Sequence, residues 1–195
     1  MTTLDRESLF ATLCAGNDLQ FLYADGFCRP MESVVEHLKQ LGFFTQPAST
    51  RFHGTYEGGL FDHSLRVTEE LWKLTDSLHL KWMRKCSPLI IGMFHDLCKV
   101  DLYQVDVIQQ DGDKECVRYK HNDTPSSWGP GHGSKSVAIA STLIQLTPEE
   151  VACIRYHMGA YEKDEWGNLD TAIRTFPNVL WTHTADMVAY KLYNT

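Results

Sequence analysis

Apolar positions recur along most of this chain at three- and four-residue intervals, the spacing of one face of an α-helix. Met31, Val34, Val35, Leu38 and Leu41 trace one such face, with Pro30 before it and Gly42 after it as start and stop signals. The stretch 48–59 (ASTRFHGTYEGG) is glycine-rich and aperiodic, and reads as a loop. Helical spacing resumes from Leu60 to Leu78. Ser87-Pro88 reads as an N-cap followed by a first-turn proline, opening a helix through Ile90, Ile91, Met93 and Phe94 to about Cys98.

The pattern then changes period. Residues 102–108 (LYQVDVI) and 115–120 (ECVRYK) partly alternate and surround Asp111-Gly112, which predicts a β-hairpin over about 102–120 inserted between helices. Residues 122–133 form a polar loop containing Gly and Pro, and helix resumes over about 134–146. Thr147-Pro148-Glu149-Glu150 combines an N-cap, an N1 proline and Glu at N3, a capping box that starts a helix to about His157. Residues 160–168 read as loop and 170–176 as a short helix. Pro177 then opens a last helix through Val179, Leu180, Asp186, Met187 and Tyr190. The predicted class is all-α with a small β insertion.

Composition narrows the picture without changing it. A chain of 195 residues with 43% hydrophobic content can bury one sizeable core, and a second full domain would be cramped. The formal net charge of -7 offers no general attraction to nucleic acid or to an anionic membrane, so a polyanionic substrate must be drawn by local charge. No apolar run reaches transmembrane length, and the first residues lack the basic start and apolar run of a signal peptide. The expected location is therefore the cytoplasm. The six cysteines are scattered without a CxxC pair and are expected as buried free thiols.

Nine histidines are more than average composition supplies, and several sit in apolar helices. His63 is early in one helix, His95-Asp96 lies near the end of the Ser87 helix, and Asp186 is inside the last. Polar groups in such places need partners or a metal, because burying them bare is costly. Imidazole nitrogen with carboxylate oxygen suits a borderline divalent ion such as Mn, Fe, Co, Ni or Zn. Adjacent helical residues point about 100° apart, so His95 and Asp96 can share an ion only near its edge. His183, three residues before Asp186, faces the same side, either supporting the site or touching it.

The order His63, then His95-Asp96 within FHDLCK, then Asp186 within HTADM resembles the H…HD…D signature of the HD-domain phosphohydrolase superfamily. YEGGLFDHS around His63 looks like the element carrying the first ligand there, and Lys99 falls in the place of the family's lysine. The likeness covers about 47–190, preceded by a helical extension over 1–46. It is nearest to stand-alone, uncharacterised bacterial and phage HD hydrolases, and to the HD domain of a bacterial 3′–5′ exoribonuclease. It implies a single HD domain, a bundle of about five helices around the metal, bound by His63, His95, Asp96 and Asp186.

His132 in GHGSKS and His157 in RYHMGAY resemble further elements of relatives that bind two metals. Those relatives often show two adjacent histidines where this chain has His157-Met158. One ion is therefore expected, and two with His132 and His157. The resemblance implies hydrolysis of a small phosphorylated substrate, a nucleotide or short oligonucleotide, by a metal-activated water. Asp96 would be ligand and proton acceptor, and Lys99 catalytic. Arg51, His53, Lys99, Lys135, His132 and His157 would contact substrate. An HD-type diiron oxygenase cleaving a C–C or C–P bond is the alternative, and a non-catalytic nucleotide-sensing module the second. No long nucleic acid or membrane partner is expected, and homo-oligomerisation is left open.

Overall fold

Capping chemistry and apolar stripes set the helices of this computed structural model, which describes residues 1–21, 28–51, 54–111, 114–123, 131–161 and 166–193. The helices are α1 (Thr3–Gly16), α2 (Met31–Leu41), α3 (Gly59–Leu78), α4 (Ser87–Phe94), α5 (His132–Ser141), α6 (Pro148–Tyr156), α7 (Trp166–Thr175) and α8 (Asn178–Leu192). Strands β1 (Tyr103–Asp111) and β2 (Lys114–His121) form one antiparallel hairpin between α4 and α5. The class is all-α with an inserted hairpin, as the periodicity predicts. Among the described residues, no helix is long and apolar enough to cross a membrane.

Local chemistry explains where the elements begin and end. Thr147 and Glu150 form the expected reciprocal box at the start of α6. A second box, Thr2 with Asp5, starts α1. Gly42 ends α2 in the left-handed region at φ 89°. Ser87 differs from the expectation. Cys86 occupies the cap and Ser87 lies inside α4, where its hydroxyl donates to Glu150 at 2.7 Å and ties α4 to α6. The helix expected over 134–146 begins at His132 and stops at Ser141, where Thr142 and Leu143 make three-residue turns back to Ile139 and Ala140.

The largest departure is at the histidine-aspartate pair. Helix α4 ends at Phe94 rather than near Cys98, Asp96 leaves helical geometry at φ -108°, ψ 18°, and a 3₁₀ turn follows over Leu97–Asp101. That break frees the Asp96 carboxylate from the 100° offset a continuous helix would impose.

One apolar cluster runs through the molecule and includes the 1–46 segment. Phe10, Phe43, Phe44, Phe61 and Phe94 pack ring against ring at centroid distances of 5.3–6.5 Å, mostly edge-on. Phe61 precedes His63 by two residues and Phe94 precedes His95 by one, so this block fixes the segments carrying both histidines. Arg6 of α1 grips Asp62 through two hydrogen bonds of 2.9 Å. Helix α3 packs against α4 and α8, and α6 against α5 and α8. Asn178 anchors the start of α8 by donating to Lys81 O and to Glu149.

Candidate metal centre

Close helix approach brings the polar residues together. A Cβ at Gly92 of α4 would lie 2.6 Å from Thr68 Cα and 2.7 Å from Thr68 N on α3, so only glycine allows this crossing. His63 lies five residues before Thr68 and His95 three after Gly92. A Cβ at Gly133 would likewise meet the Arg155 backbone, 2.8 Å from its Cα, where α5 crosses α6. His132 and His157 flank that crossing.

Four groups then converge. His63 Nε2 is 3.2 Å from Asp186 Oδ1, 3.5 Å from Asp96 Oδ2 and 3.3 Å from His95 Nε2. His95 Nε2 is 3.4 Å from Asp96 Oδ2 and 3.9 Å from Asp186 Oδ1. A tetrahedral ion with bonds of about 2.1 Å sets its ligand atoms about 3.4 Å apart. The observed spacings surround that value. Of the sequence-predicted set, His63 and His95 thus lie within coordination spacing of both Asp96 and Asp186, and His63, His95 and Asp96 form a group that could hold a metal ion.

Ring tautomers are fixed by carbonyl partners. His95 Nδ1 lies 2.8 Å from Gly92 O and His157 Nδ1 2.7 Å from Ile154 O, and a carbonyl can only accept. Each neutral ring therefore presents an Nε2 lone pair. His157 Nε2 is fully buried without a hydrogen-bond partner, 3.5 Å from Asp96 Oδ1. His132 Nε2 is 2.7 Å from the same oxygen. The Asp96 carboxylate is divided, with Oδ2 toward His63 and His95 and Oδ1 toward His132 and His157. Groups of donors within 4.8 Å include His63, His95 and Asp96; His95, His157 and Asp186; and Asp96, Cys98 and His132. An orphaned imidazole lone pair beside buried carboxylates fits a cation, so these residues can hold a metal ion.

Charge in the cluster is strongly redistributed. Burial alone would raise the Asp96 pKa, but Lys99 and His95, with a hydrogen bond from His132, hold it well below the usual carboxylate range. Burial likewise opposes the charge of Asp186, yet His63 and its neighbours keep that group ionised. For Lys99, burial is outweighed by Asp96, 2.7 Å away, and the ammonium is stabilised. Burial lowers His63 and His132 against the pull of their carboxylates, whereas Asp96 raises His95 despite its burial.

A cavity of about 320 Å³ opens beside the cluster. His63, Asp96, Asp186 and Lys99 line it together with His183, Met158, Tyr161, Met187, Tyr190 and Lys191. His183 takes a supporting place: its Nδ1 donates to His157 O at 2.7 Å, and its ring covers Gly159, whose φ is +56°. A Cβ there would collide with that ring. Lys135 is buried against Asp101 at 2.5 Å, so its charge joins α5 to the 3₁₀ turn and lies outside the cavity lining. Arg51 is exposed and also outside that lining, and His53 lies outside the described residues. Cys14, Cys98 and Cys153 are buried free thiols, and Cys28 is an exposed one.

Several supporting residues carried no sequence motif. Ser136 Oγ accepts from Cys98 N at 3.0 Å, binding the turn after the His-Asp pair to α5. The α8 lining was more accessible to a reader of patterns. His183, Asp186-Met187 and Tyr190-Lys191 recur at helical spacing, a stripe that faces the cavity over about two turns. Compared with known proteins, the chain matches no family model, no curated protein and no solved structure.

Proposed function

We propose that this chain is a metal-dependent phosphohydrolase or phosphodiesterase of the HD-domain superfamily, acting on a nucleotide or short oligonucleotide. The observation that carries the reading is the clustering of His63, with Asp96 and Asp186 beside it and buried His95 behind them, next to a cavity that His63, Asp96 and Asp186 line together with Lys99. A divalent ion held by those donors would lower the pKa of a water and neutralise phosphoryl charge. Lys99 keeps its proton and, anchored on Asp96, presents a fixed positive charge to a phosphoryl oxygen. This supplies locally the attraction that a net charge of -7 denies globally. Asp96, held well below its ordinary pKa, suits a ligand better than a proton acceptor.

A dinuclear iron oxygenase is the second reading. The split of Asp96 between two pairs of histidines favours it, because one carboxylate could bridge two ions there. A panel of nucleotides and a generic p-nitrophenyl phosphodiester, with Mn²⁺, Co²⁺, Ni²⁺ and Zn²⁺ in turn, separates the two. Metal-dependent release of phosphate or p-nitrophenol, abolished in His95→Ala, is the expected result. Oxygen uptake with diiron absorption and no ester cleavage would replace the hydrolase with the oxygenase. Metal binding with neither activity would leave a sensing module.

A further inference from the structure

The cavity lining changes chemistry away from the metal donors. Beyond His63, Asp96, Asp186 and Lys99 it offers two thioethers, Met158 and Met187, and two phenol rings, Tyr161 and Tyr190. Lys191 lies with its Nζ 4.4 Å from the Tyr190 ring centroid, so this cation is stacked on an aromatic face at the rim. His183 stands among these groups with Nδ1 committed to His157 O, which leaves Nε2 as its remaining polar atom. The volume, about 320 Å³, is at the small end of the ~300–1,000 Å³ typical of small-molecule sites.

A sugar phosphate, hydroxylated along its whole length, would leave polar groups against thioethers without partners, which disfavours it. Thioethers and phenol rings instead suit a flat, weakly polar body, through sulfur–ring contact and ring stacking. Resting on the phosphohydrolase reading, we infer that Met158, Tyr161, Met187 and Tyr190 form a subsite for the base of a nucleoside monophosphate, which the site selects over sugar phosphates. The phosphate lies toward Lys99 and the metal donors, and the base against the Met/Tyr wall. His183 Nε2 is the hydrogen-bond partner for a sugar hydroxyl. Met158 occupies the position where the sequence offers no second histidine after His157, so a thioether takes up space in the cavity there in place of a donor.

The test uses the full chain loaded with Mn²⁺. Adenosine, guanosine, cytidine and thymidine, which carry no phosphate, are titrated calorimetrically against the wild type, Met187→Gln and Met158→Gln. In parallel, kcat/KM is measured for the matching nucleoside monophosphate and for ribose 5-phosphate. At least one nucleoside binds the wild type, and each variant weakens it by roughly two- to tenfold, the scale of a lost sulfur–ring contact. The preference for nucleotide over ribose 5-phosphate falls by a similar factor. Circular dichroism checks folding, and two separate variants guard against one of them misfolding. Absence of nucleoside binding, or an unchanged preference ratio in both variants, overturns the subsite. If no ester is cleaved while a nucleoside still binds and the variants weaken it, the hydrolase reading fails and the base subsite stands.

Discussion

Replacing Gly92 with alanine drives a methyl into the backbone of α3, and its consequences can be worked out from distances. The new Cβ would lie 2.6 Å from Thr68 Cα and 2.7 Å from Thr68 N, with Thr68 Oγ1 also in contact. Backbone atoms of a long helix cannot rotate aside, so α3 and α4 must separate by roughly 1 Å to restore van der Waals distance. Overpacking of this kind costs about 1–3 kcal/mol, offset by about 0.5–1 kcal/mol for removing a helical glycine. The same separation moves His63 Nε2 and His95 Nε2 beyond their present 3.3 Å. Two residues that together held one ion would tolerate little of that, and support residues of metal sites typically affect affinity by about 10–100-fold. The expected outcome is a fall in Tm of several degrees without metal, together with weaker Co²⁺ binding by calorimetry. Gly16→Ala is the control, since nothing lies within 4 Å of its added Cβ. If Gly92→Ala keeps wild-type Tm and metal affinity, the inference that this crossing sets the ligand geometry is wrong.

Other outcomes are equally specific. Arg6→Ala strands the half-buried Asp62 beside His63 and should cost about 3 kcal/mol in urea unfolding, whereas Arg6→Met with Asp62→Asn recovers much of that loss. A double variant no more stable than Arg6→Ala would show that packing, not the ion pair, is what Arg6 contributes. Burial would raise the pKa of Glu70, but bonds from Lys73 and Tyr193 hold it below its ordinary 4.5. The folded pKa is thus depressed, so its contribution is present above pH 4.5 and is lost as pH falls through the lower folded value. Glu70→Gln should flatten the stability–pH slope in that acid window, and equal slopes would contradict the assignment. Burial pushes the Cys14 thiol up to about 12, so Ellman's reagent at pH 8 should modify exposed Cys28 in the native protein and reach Cys14 only on unfolding. Rapid native labelling of Cys14 would mean that α1 opens readily.

How far the sequence reached depends on the range of the interaction involved. The Thr147 box, the Gly42 stop and the hairpin around Asp111-Gly112 rest on contacts within a few residues, and the structure has all three elements. Ser87 was misread because its hydroxyl bonds to Glu150, 63 residues away, a partner no local rule can supply. The α4 boundary was misread for a similar reason. Apolar spacing continues past Phe94, but the chain leaves the helix so that Asp96 can meet four imidazoles and Lys99. Lys135 reads as a free cation in GHGSKS, and only the fold pairs it with Asp101.

By itself the sequence determined the helical class, the inserted hairpin and the identity of four residues that converge: His63, His95, Asp96 and Asp186. The class and the hairpin follow from periodicity and turn chemistry, which are properties of neighbours along the chain, whereas the four residues were joined only by the resemblance of their ordered words to a known signature. Only the tertiary structure decided that the His63 and His95 nitrogens lie 3.3 Å apart and 3.2–3.9 Å from the Asp96 and Asp186 oxygens, and that Asp96 divides its oxygens between two histidine pairs. It also decided that Met158 and Met187 share a cavity with Lys99. Such facts depend on how closely helices distant in sequence can approach. That distance is set by small residues such as Gly92 and Gly133, whose importance is invisible until the opposing backbone is in place.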